Sequence, residues 1–187
     1  MNLKKYISAV LLSGAAMGGL ALSPGMADAA PLSGISVQPF SGMLTVTDDD
    51  SNAFGTSTTE SDWSISMSAQ TIGPGLPPAV WNFGGCSGPQ DDGEVWVQVK
   101  VTATYLSSTS YQVKTQMDLY EDTSSACADR KRNFPLSQLD HDGADEMKVS
   151  VNAPGQVGPI TFDVENVDEA PTLDHGELSV GFQSTLV

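Results

Sequence analysis

The sequence predicts an all-β protein, an antiparallel two-sheet β-sandwich of jelly-roll or immunoglobulin-like type with about eight strands. Apolar residues alternate with polar ones in several segments, which is the period of a half-buried strand. Clusters of glycine, proline and aspartate separate these segments. No segment keeps a helical apolar period over three turns. A closed β-barrel is the alternative arrangement of the same strands.

The first 29 residues predict a secretory signal peptide. Lys4 and Lys5 precede the uncharged apolar run 6–22, and Ala27-Asp28-Ala29 supplies an A-x-A cleavage pattern. Glycines and serines weaken the run, and Pro24 follows it, so a membrane span is disfavoured. The expected mature protein begins at Ala30 and is secreted and extracellular, without membrane insertion after cleavage.

The remainder is expected to form one domain over residues 41–187, preceded by a flexible segment over 30–40. That segment is small, polar and flanked by Pro31 and Pro39. A turn is expected over the Gly73–Pro78 cluster. The candidate strands are Met43–Thr47, Trp63–Ala69, Ala79–Phe83, Val95–Tyr105, Tyr111–Leu119, Met147–Val151, Ile160–Val164 and Leu178–Phe182.

The two longest candidates should form a hairpin whose register can be predicted. Both strands must turn their odd-numbered apolar residues inward, so the numbers of paired residues must sum to an even value. A sum of 216, with a three-residue turn over 107–109, places Val97 opposite Leu119 and Val99 opposite Met117. It also places Trp96 opposite Tyr120 on the other face.

Trp96, Tyr120 and Lys100 are the candidate binding face. Aromatic rings on an outward sheet face can stack on sugars or anchor a protein partner, and Lys100 would add a polar contact. The alternative is a cross-strand pair that only stabilises the sheet. Trp63 has inward parity and is expected in the core, whereas Trp81 could face either way.

The net charge restricts the partners. The chain has 8 basic and 23 acidic residues and a net charge of −15. Lys4, Lys5 and Asp28 belong to the signal, which leaves 6 basic and 22 acidic residues, a net of about −16. Such a surface repels nucleic acid and anionic membranes. An extracellular protein or glycan remains as partner, although spread charges also serve solubility alone.

The acidic segment 140–146 is a candidate calcium site. Asp140, Asp142, Asp145 and Glu146 offer carboxylates of the kind that calcium prefers in flexible loops. The spacing does not match an EF-hand, because the glycine falls at the fourth place of the segment. Solvated turn residues are the alternative. Further acidic pairs or triplets are expected in loops at 48–50, 91–92, 121–122 and 168–169.

Two cysteines in an exported chain are expected to form a single disulfide, Cys86–Cys127. It would close a loop of about 40 residues and contribute about 4 kcal/mol in the chain-entropy model. The basic run Arg130-Lys131-Arg132 follows closely and would contact an anionic partner, offer a protease site or simply balance nearby acids.

Catalytic signals are few. His141 and His175 each stand beside an acid, and Ser87 lies between glycines but not in a G-x-S-x-G elbow. Two separated histidines also disfavour zinc. The sequence therefore favours a non-catalytic binding or surface-associated module with no cofactor except possible calcium. The alternatives are a small extracellular hydrolase using His141 or His175 and a structural envelope or matrix protein.

Overall fold

The computed structural model describes residues 34–52, 55–88, 93–121, 127, 140–166 and 174–187. For residues 50–52, 55–56 and 140 it describes the backbone alone. All of them belong to the second of two compact units, which spans residues 31–187. The expected signal peptide and the Arg130-Lys131-Arg132 run lie outside the described residues. No helix in the described ranges has the length and apolar character needed to span a membrane.

Nine strands make up almost all of the described chain. They are β1 (Ile35–Asn52), β2 (Gly55–Ile65), β3 (Gln70–Ile72), β4 (Ala79–Cys86), β5 (Val95–Ser107), β6 (Ser110–Glu121), β7 (Asp140–Asn152), β8 (Gly155–Glu165) and β9 (His175–Leu186). Each candidate strand of the sequence overlaps one of these. The short β3 is the additional strand.

The strands form two antiparallel sheets. Sheet A has the order β2-β1-β9-β8, with β3 also paired to β1, and sheet B has the order β4-β5-β6-β7. The predicted β-sandwich is confirmed. Within the described strands neither sheet closes on itself, so the barrel alternative is wrong.

The core lies between the two sheets and follows the period-two pattern. Its fully buried side chains include the odd-numbered valines of β5 and, in β9, Leu178, Val180 and Phe182. The sheets approach closely at Gly176, where a Cβ atom would overlap a methyl group of Val97. Leu119, Met117 and Leu178 fill the same layer. Hydrophobic burial between two pleated faces is therefore the main stabilising term of this fold.

The predicted hairpin register is confirmed. Val97 pairs with Leu119, Val99 with Met117, and Trp96 with Tyr120. The turn is shorter than expected, because the register shifts between Tyr105 and Ser107 and Ser107 then pairs with Ser110. A bulge absorbs the extra residue without altering the inward parity of the strands before it.

The expectation of a flexible segment over 30–40 is wrong for residues 35–40. Strand β1 begins at Ile35, and both Ile35 and Val37 are fully buried. This part of β1 pairs with β3 on one side and with β9 on the other. Distant strands thus hold a segment whose own short, proline-containing sequence gives little strand signal.

The long strand β1 also explains why the candidate strand Trp63–Ala69 ends early. A register shift between Phe40 and Met43 divides β1 into two parts, and Ser41 has a positive φ of 50°. The second part pairs with β2, which ends at Ile65, whereas the first part pairs with β3. Residues 66–69 connect β2 to β3, which pair with different parts of β1.

The tryptophans Trp63 and Trp81 differ from each other in burial. Trp81 is 5% exposed and donates from Nε1 to the carbonyl oxygen of Ser68 over 2.9 Å. Trp63 faces inward as predicted but is 38% exposed, so its assignment to the core is wrong. Its strand, β2, is the edge of sheet A, where the second sheet covers a side chain only in part.

Candidate binding face

The outer face of sheet B carries three aromatic rings in one cross-strand row. Trp96 on β5 pairs with Tyr120 on β6, and Tyr120 pairs with His141 on β7. We call Trp96, Tyr120 and His141 the aromatic row. Residues that pair directly across antiparallel strands project from the same face. The sequence predicted the first two members, whereas a register shift between Leu119 and Tyr120 brings His141 into line.

Tyr120 and His141 are in ring contact. Their ring centroids are 5.1 Å apart, and the ring planes are inclined by 59°. That is a tilted arrangement within the range that aromatic pairs favour. His141 Nε2 also lies 3.3 Å from Oδ1 of Asp118, which projects from the same face of β6. The contact and the carboxylate together orient the imidazole ring.

The Trp96 indole lies along the sheet and over a glycine. A Cβ atom at Gly84, on the neighbouring strand β4, would overlap the indole carbons Cζ2 and Cε2. Gly84 therefore leaves the space in which the ring rests, and Trp96 is half-buried. The indole leans toward β4, while Tyr120 packs toward β7. The two paired residues thus extend the row sideways instead of stacking on each other.

Lys100 shares the face but stands apart from the row. It is exposed and lies four residues from Trp96 along β5, about 14 Å away at about 3.4 Å per residue. Between them Gln98 donates from Nε2 to the carbonyl oxygen of Phe83 over 2.7 Å. The structure therefore brings Trp96 and Tyr120 together and places Lys100 at the margin of the same surface.

The predicted calcium loop is part of strand β7. Asp142 Oδ2 accepts a hydrogen bond from the backbone N–H of Glu121 over 3.0 Å, and Asp145 Oδ1 accepts one from the N–H of Glu146. The side chain of Asp140 lies outside the described residues. Successive strand residues point to opposite faces, so these acids diverge. No group of three metal-ligating side chains occurs among the described residues.

Glu146 is engaged by two lysines. Its carboxylate lies 2.5 Å from Nζ of Lys114 and 2.9 Å from Nζ of Lys148. Hydrogen bonds from Lys114 and Lys148 hold the pKa of the Glu146 carboxyl below its ordinary value of 4.5, and the bond from Lys114 has the larger effect. Of the other acidic loop candidates, Asp48 to Asp50 lie in β1, and 91–92, 122 and 168–169 fall outside the described residues.

The disulfide Cys86–Cys127 is present, as predicted. Both cysteines are buried, and the N–H of Cys127 donates to the carbonyl oxygen of Gly93 over 3.3 Å. The bond fastens the end of β4 to a residue 41 positions further along the chain. Neither cysteine is available as a nucleophile or metal ligand.

Sequence reasoning missed a buried polar network beside the disulfide. Ser87 is fully buried, donates from Oγ to Asp48 over 3.0 Å and accepts from the N–H of Val95. Asp174, 6% exposed, accepts from the N–H of Asp49 over 2.7 Å. These bonds join β1 to the ends of β4 and β9. Ser87 thus has a structural role, which its glycine-flanked sequence does not indicate.

The two histidines lie on opposite sheets. His141 belongs to the aromatic row, with its side chain 48% exposed. His175 lies in sheet A, where it pairs with Thr47 and Glu165. A cavity of about 260 Å³ is lined by Gly34, Thr71, Gly73, Pro74, Leu76 and Val187, and neither histidine contributes to it.

Comparison with known proteins adds little to this geometry. No protein-family model and no curated protein matches the chain. One similar solved structure is the Salmonella SPI-1 type III secretion injectisome secretin InvG in its open gate state, at 8% identity and a TM-score of 0.27. The match covers 83% of this chain and 60% of that one. A TM-score this low does not place the two chains in a common fold.

Proposed function

We propose that this protein is a secreted, non-catalytic binding module that recognises glycans through the aromatic row on sheet B. The supporting observation is the row itself, in which Trp96, Tyr120 and His141 occupy paired positions on three adjacent strands. The row crosses two strand spacings, about 10 Å, on the outer face of a sheet. The expectation of secretion comes from the basic, apolar and A-x-A pattern of residues 1–29.

The chemistry of the surrounding side chains suits a sugar. Ring faces contact the apolar C–H side of a pyranose, and a few placed polar groups give orientation. Asp118 beside His141 offers an acceptor, and the exposed Lys100 offers a donor for hydroxyl groups at the margin. Backbone pairing fixes the row, so little conformational entropy is lost when a ligand binds.

The glycan proposal is tested by affinity electrophoresis in a panel of purified uncharged polysaccharides, including laminarin, xylan and mannan. We expect at least one to retard the wild-type protein, and Tyr120→Ala and His141→Ala to lose that retardation. The matched control is Gln112→Ala, a half-buried residue on the same face of β6 but eight positions from Tyr120. It should behave as wild type.

Two results would overturn the glycan proposal. In the first, no polysaccharide retards the wild-type protein, which would favour a protein partner or a purely structural role. In the second, Tyr120→Ala and Gln112→Ala are retarded equally, which would place binding elsewhere. Circular dichroism and melting curves of both variants establish that each is folded before the comparison is made.

A further inference from the structure

The outer face of sheet A is acidic across all four of its long strands. One cross-strand row runs Glu60, Thr47, His175, Glu165, and the next runs Asp62, Thr45, Glu177, Asp163. Asp49 lies on the same face, two residues beyond Thr47. We call the set Asp49, Glu60, Asp62, Asp163, Glu165 and Glu177 the acidic face. The register alone brings these residues together, because they come from four strands that are distant in sequence.

The lysines of the described chain lie on the other side of the sandwich. Lys100, Lys114 and Lys148 occupy outward positions of β5, β6 and β7 in sheet B. Among the described residues none of the acidic face is therefore opposed by a lysine or arginine on its own sheet. Described carboxylates occur on both sheets, for example Asp118 and Glu146 on sheet B, but only those of sheet A lack a lysine on the same sheet.

Four carboxylates of the acidic face have no cationic or hydrogen-bonding side-chain partner in the part of the chain that the structure describes. Asp62 accepts a hydrogen bond from Thr45 Oγ1 over 2.7 Å, and Asp49 accepts one from Thr58 Oγ1 over 2.9 Å. No hydrogen bond or ion pair with another described side chain occurs at the remaining four. They are Glu60, Asp163, Glu165 and Glu177.

The pairing of Asp163 with Glu177 is unfavourable as it stands. The two residues are direct cross-strand partners on β8 and β9. Like charges at such positions destabilise a sheet, and a local conflict of this kind is typical of functional surfaces. A cationic group seated between the two carboxylates would remove the repulsion.

Thr47 provides a second, independent indication of a ligand. It lies in the middle of the first row, between Glu60 and His175, and is 4% exposed. Its Oγ1 is buried and has no hydrogen-bond partner among the described residues. A buried hydroxyl without a hydrogen-bond partner destabilises the fold. The N–H donors of a cationic side chain bound on this row would give this oxygen its missing bond.

The acidic face suits an extended ligand that carries several positive charges better than it suits a single metal ion. No three metal-ligating side chains converge among the described residues. The carboxylates are instead spread over rows in which neighbouring strands are about 4.8 Å apart and same-face residues along a strand about 7 Å apart. Within the acidic face, only Asp163 and Glu177 are carboxylates on directly paired positions. Glu60 and Glu165 are three strand spacings apart, about 14 Å, which matches about four residues of extended polypeptide.

We propose that the acidic face is a docking surface for a basic polypeptide segment rich in lysine or arginine. Its carboxylates would pair with the cationic side chains, and bidentate arginine contacts would be the strongest. The surface lies on the sheet opposite the aromatic row. Success or failure of the glycan proposal is therefore independent of it.

The test measures binding of a fluorescein-labelled hexa-arginine peptide to the purified protein by fluorescence anisotropy. The face variant Asp163→Asn/Glu177→Gln is compared with the control Asp118→Asn/Glu146→Gln, which removes the same two charges from sheet B. We expect the face variant to weaken binding about fivefold or more and the control by less than about twofold. Raising the salt concentration should weaken wild-type binding, because the contacts are electrostatic.

The melting temperature supplies a second readout. Without peptide, the face variant should melt higher than the wild type because the repulsion between Asp163 and Glu177 is removed. Equal weakening by the two double variants would overturn the proposal, because net charge alone would then explain binding. It would also be overturned if the wild type bound no peptide, or if millimolar calcium raised its melting temperature while the peptide did not bind.

Discussion

Trp63 Nε1 donates a hydrogen bond to the carbonyl oxygen of Cys86 over 2.8 Å, and this bond joins the edge strands of the two sheets. The indole rests over Gly85, where a Cβ atom would overlap it. Ser61, two residues earlier on the same face of β2, donates to the carbonyl oxygen of Ser87 over 2.8 Å. One open side of the sandwich is thus closed by side chain to backbone bonds.

Trp63→Phe should destabilise the protein by about 1 kcal/mol. Phenylalanine keeps a ring over Gly85 but removes the N–H, which leaves the carbonyl oxygen of Cys86 without that donor. Urea denaturation followed by circular dichroism measures the change. A variant as stable as the wild type would show that water replaces the bond without loss.

Gly84→Ala should displace the Trp96 indole. The added methyl group would occupy the space of the ring, so we expect a loss of about 1–3 kcal/mol and a shift in tryptophan emission. The control is Gly158→Ala, because a Cβ atom there meets nothing within 4 Å. If both variants melt and fluoresce alike, the indole does not rest on Gly84.

The titration of Glu146 should show the two lysines acting on it. Its pKa is lowered, so the ionised carboxylate stabilises the fold above its ordinary value of 4.5, and that contribution disappears as the pH falls through the lowered value. The melting temperature of Glu146→Gln should therefore lie below that of the wild type at neutral pH and converge with it in acid.

Carboxyl NMR gives the direct measurement for Glu146. The wild-type midpoint should lie below 4.5, and the double variant Lys114→Met/Lys148→Met should raise it toward that value. A wild-type midpoint at or above 4.5 would contradict the lysine contacts.

Reduction of Cys86–Cys127 should lower the free energy of unfolding by about 4 kcal/mol, the loop-closure term for a separation of 41 residues. Urea denaturation with and without reductant measures it. The double variant Cys86→Ser/Cys127→Ser should have the urea midpoint of the reduced wild type, and reductant should not change that midpoint. An unchanged wild-type midpoint in reductant would show that the bond contributes nothing.

Export of the full chain should yield a mature protein that begins at Ala30. Intact mass and N-terminal sequencing of the secreted material check the cleavage point. Ala29→Arg removes the small residue that signal peptidase requires, so this variant should keep residues 1–29. Retention of those residues in the secreted wild type would contradict the signal-peptide interpretation.

The sequence was sufficient where local parity and burial act together. The odd-numbered residues of β5 and β6 had to face the core, and this requirement, together with a short turn near 107–109, predicted the pairing of Trp96 with Tyr120. It was insufficient where distant partners decide the structure. Ile35 and Val37 belong to a strand because β3 and β9 flank them, which a short polar segment does not indicate.

The acidic segment 140–146 shows a different limit of sequence reasoning. Composition suggested a loop, yet β7 is an edge strand whose exposed positions accept carboxylates. Gly143 lies against the backbone of Glu165, a close approach from the other sheet that only glycine permits. His141 entered the aromatic row through a register shift, and no parity rule predicts where such a shift falls.

The distribution of lysines and carboxylates has a consequence for how the molecule orients itself. All three described lysines lie on sheet B, whereas the acidic face lies on sheet A, so the described charges are distributed unevenly between the two sides of the sandwich. Near a positively charged wall or polymer layer it would turn sheet A toward that layer. The aromatic row on sheet B would then face away from the layer, toward the surrounding solution.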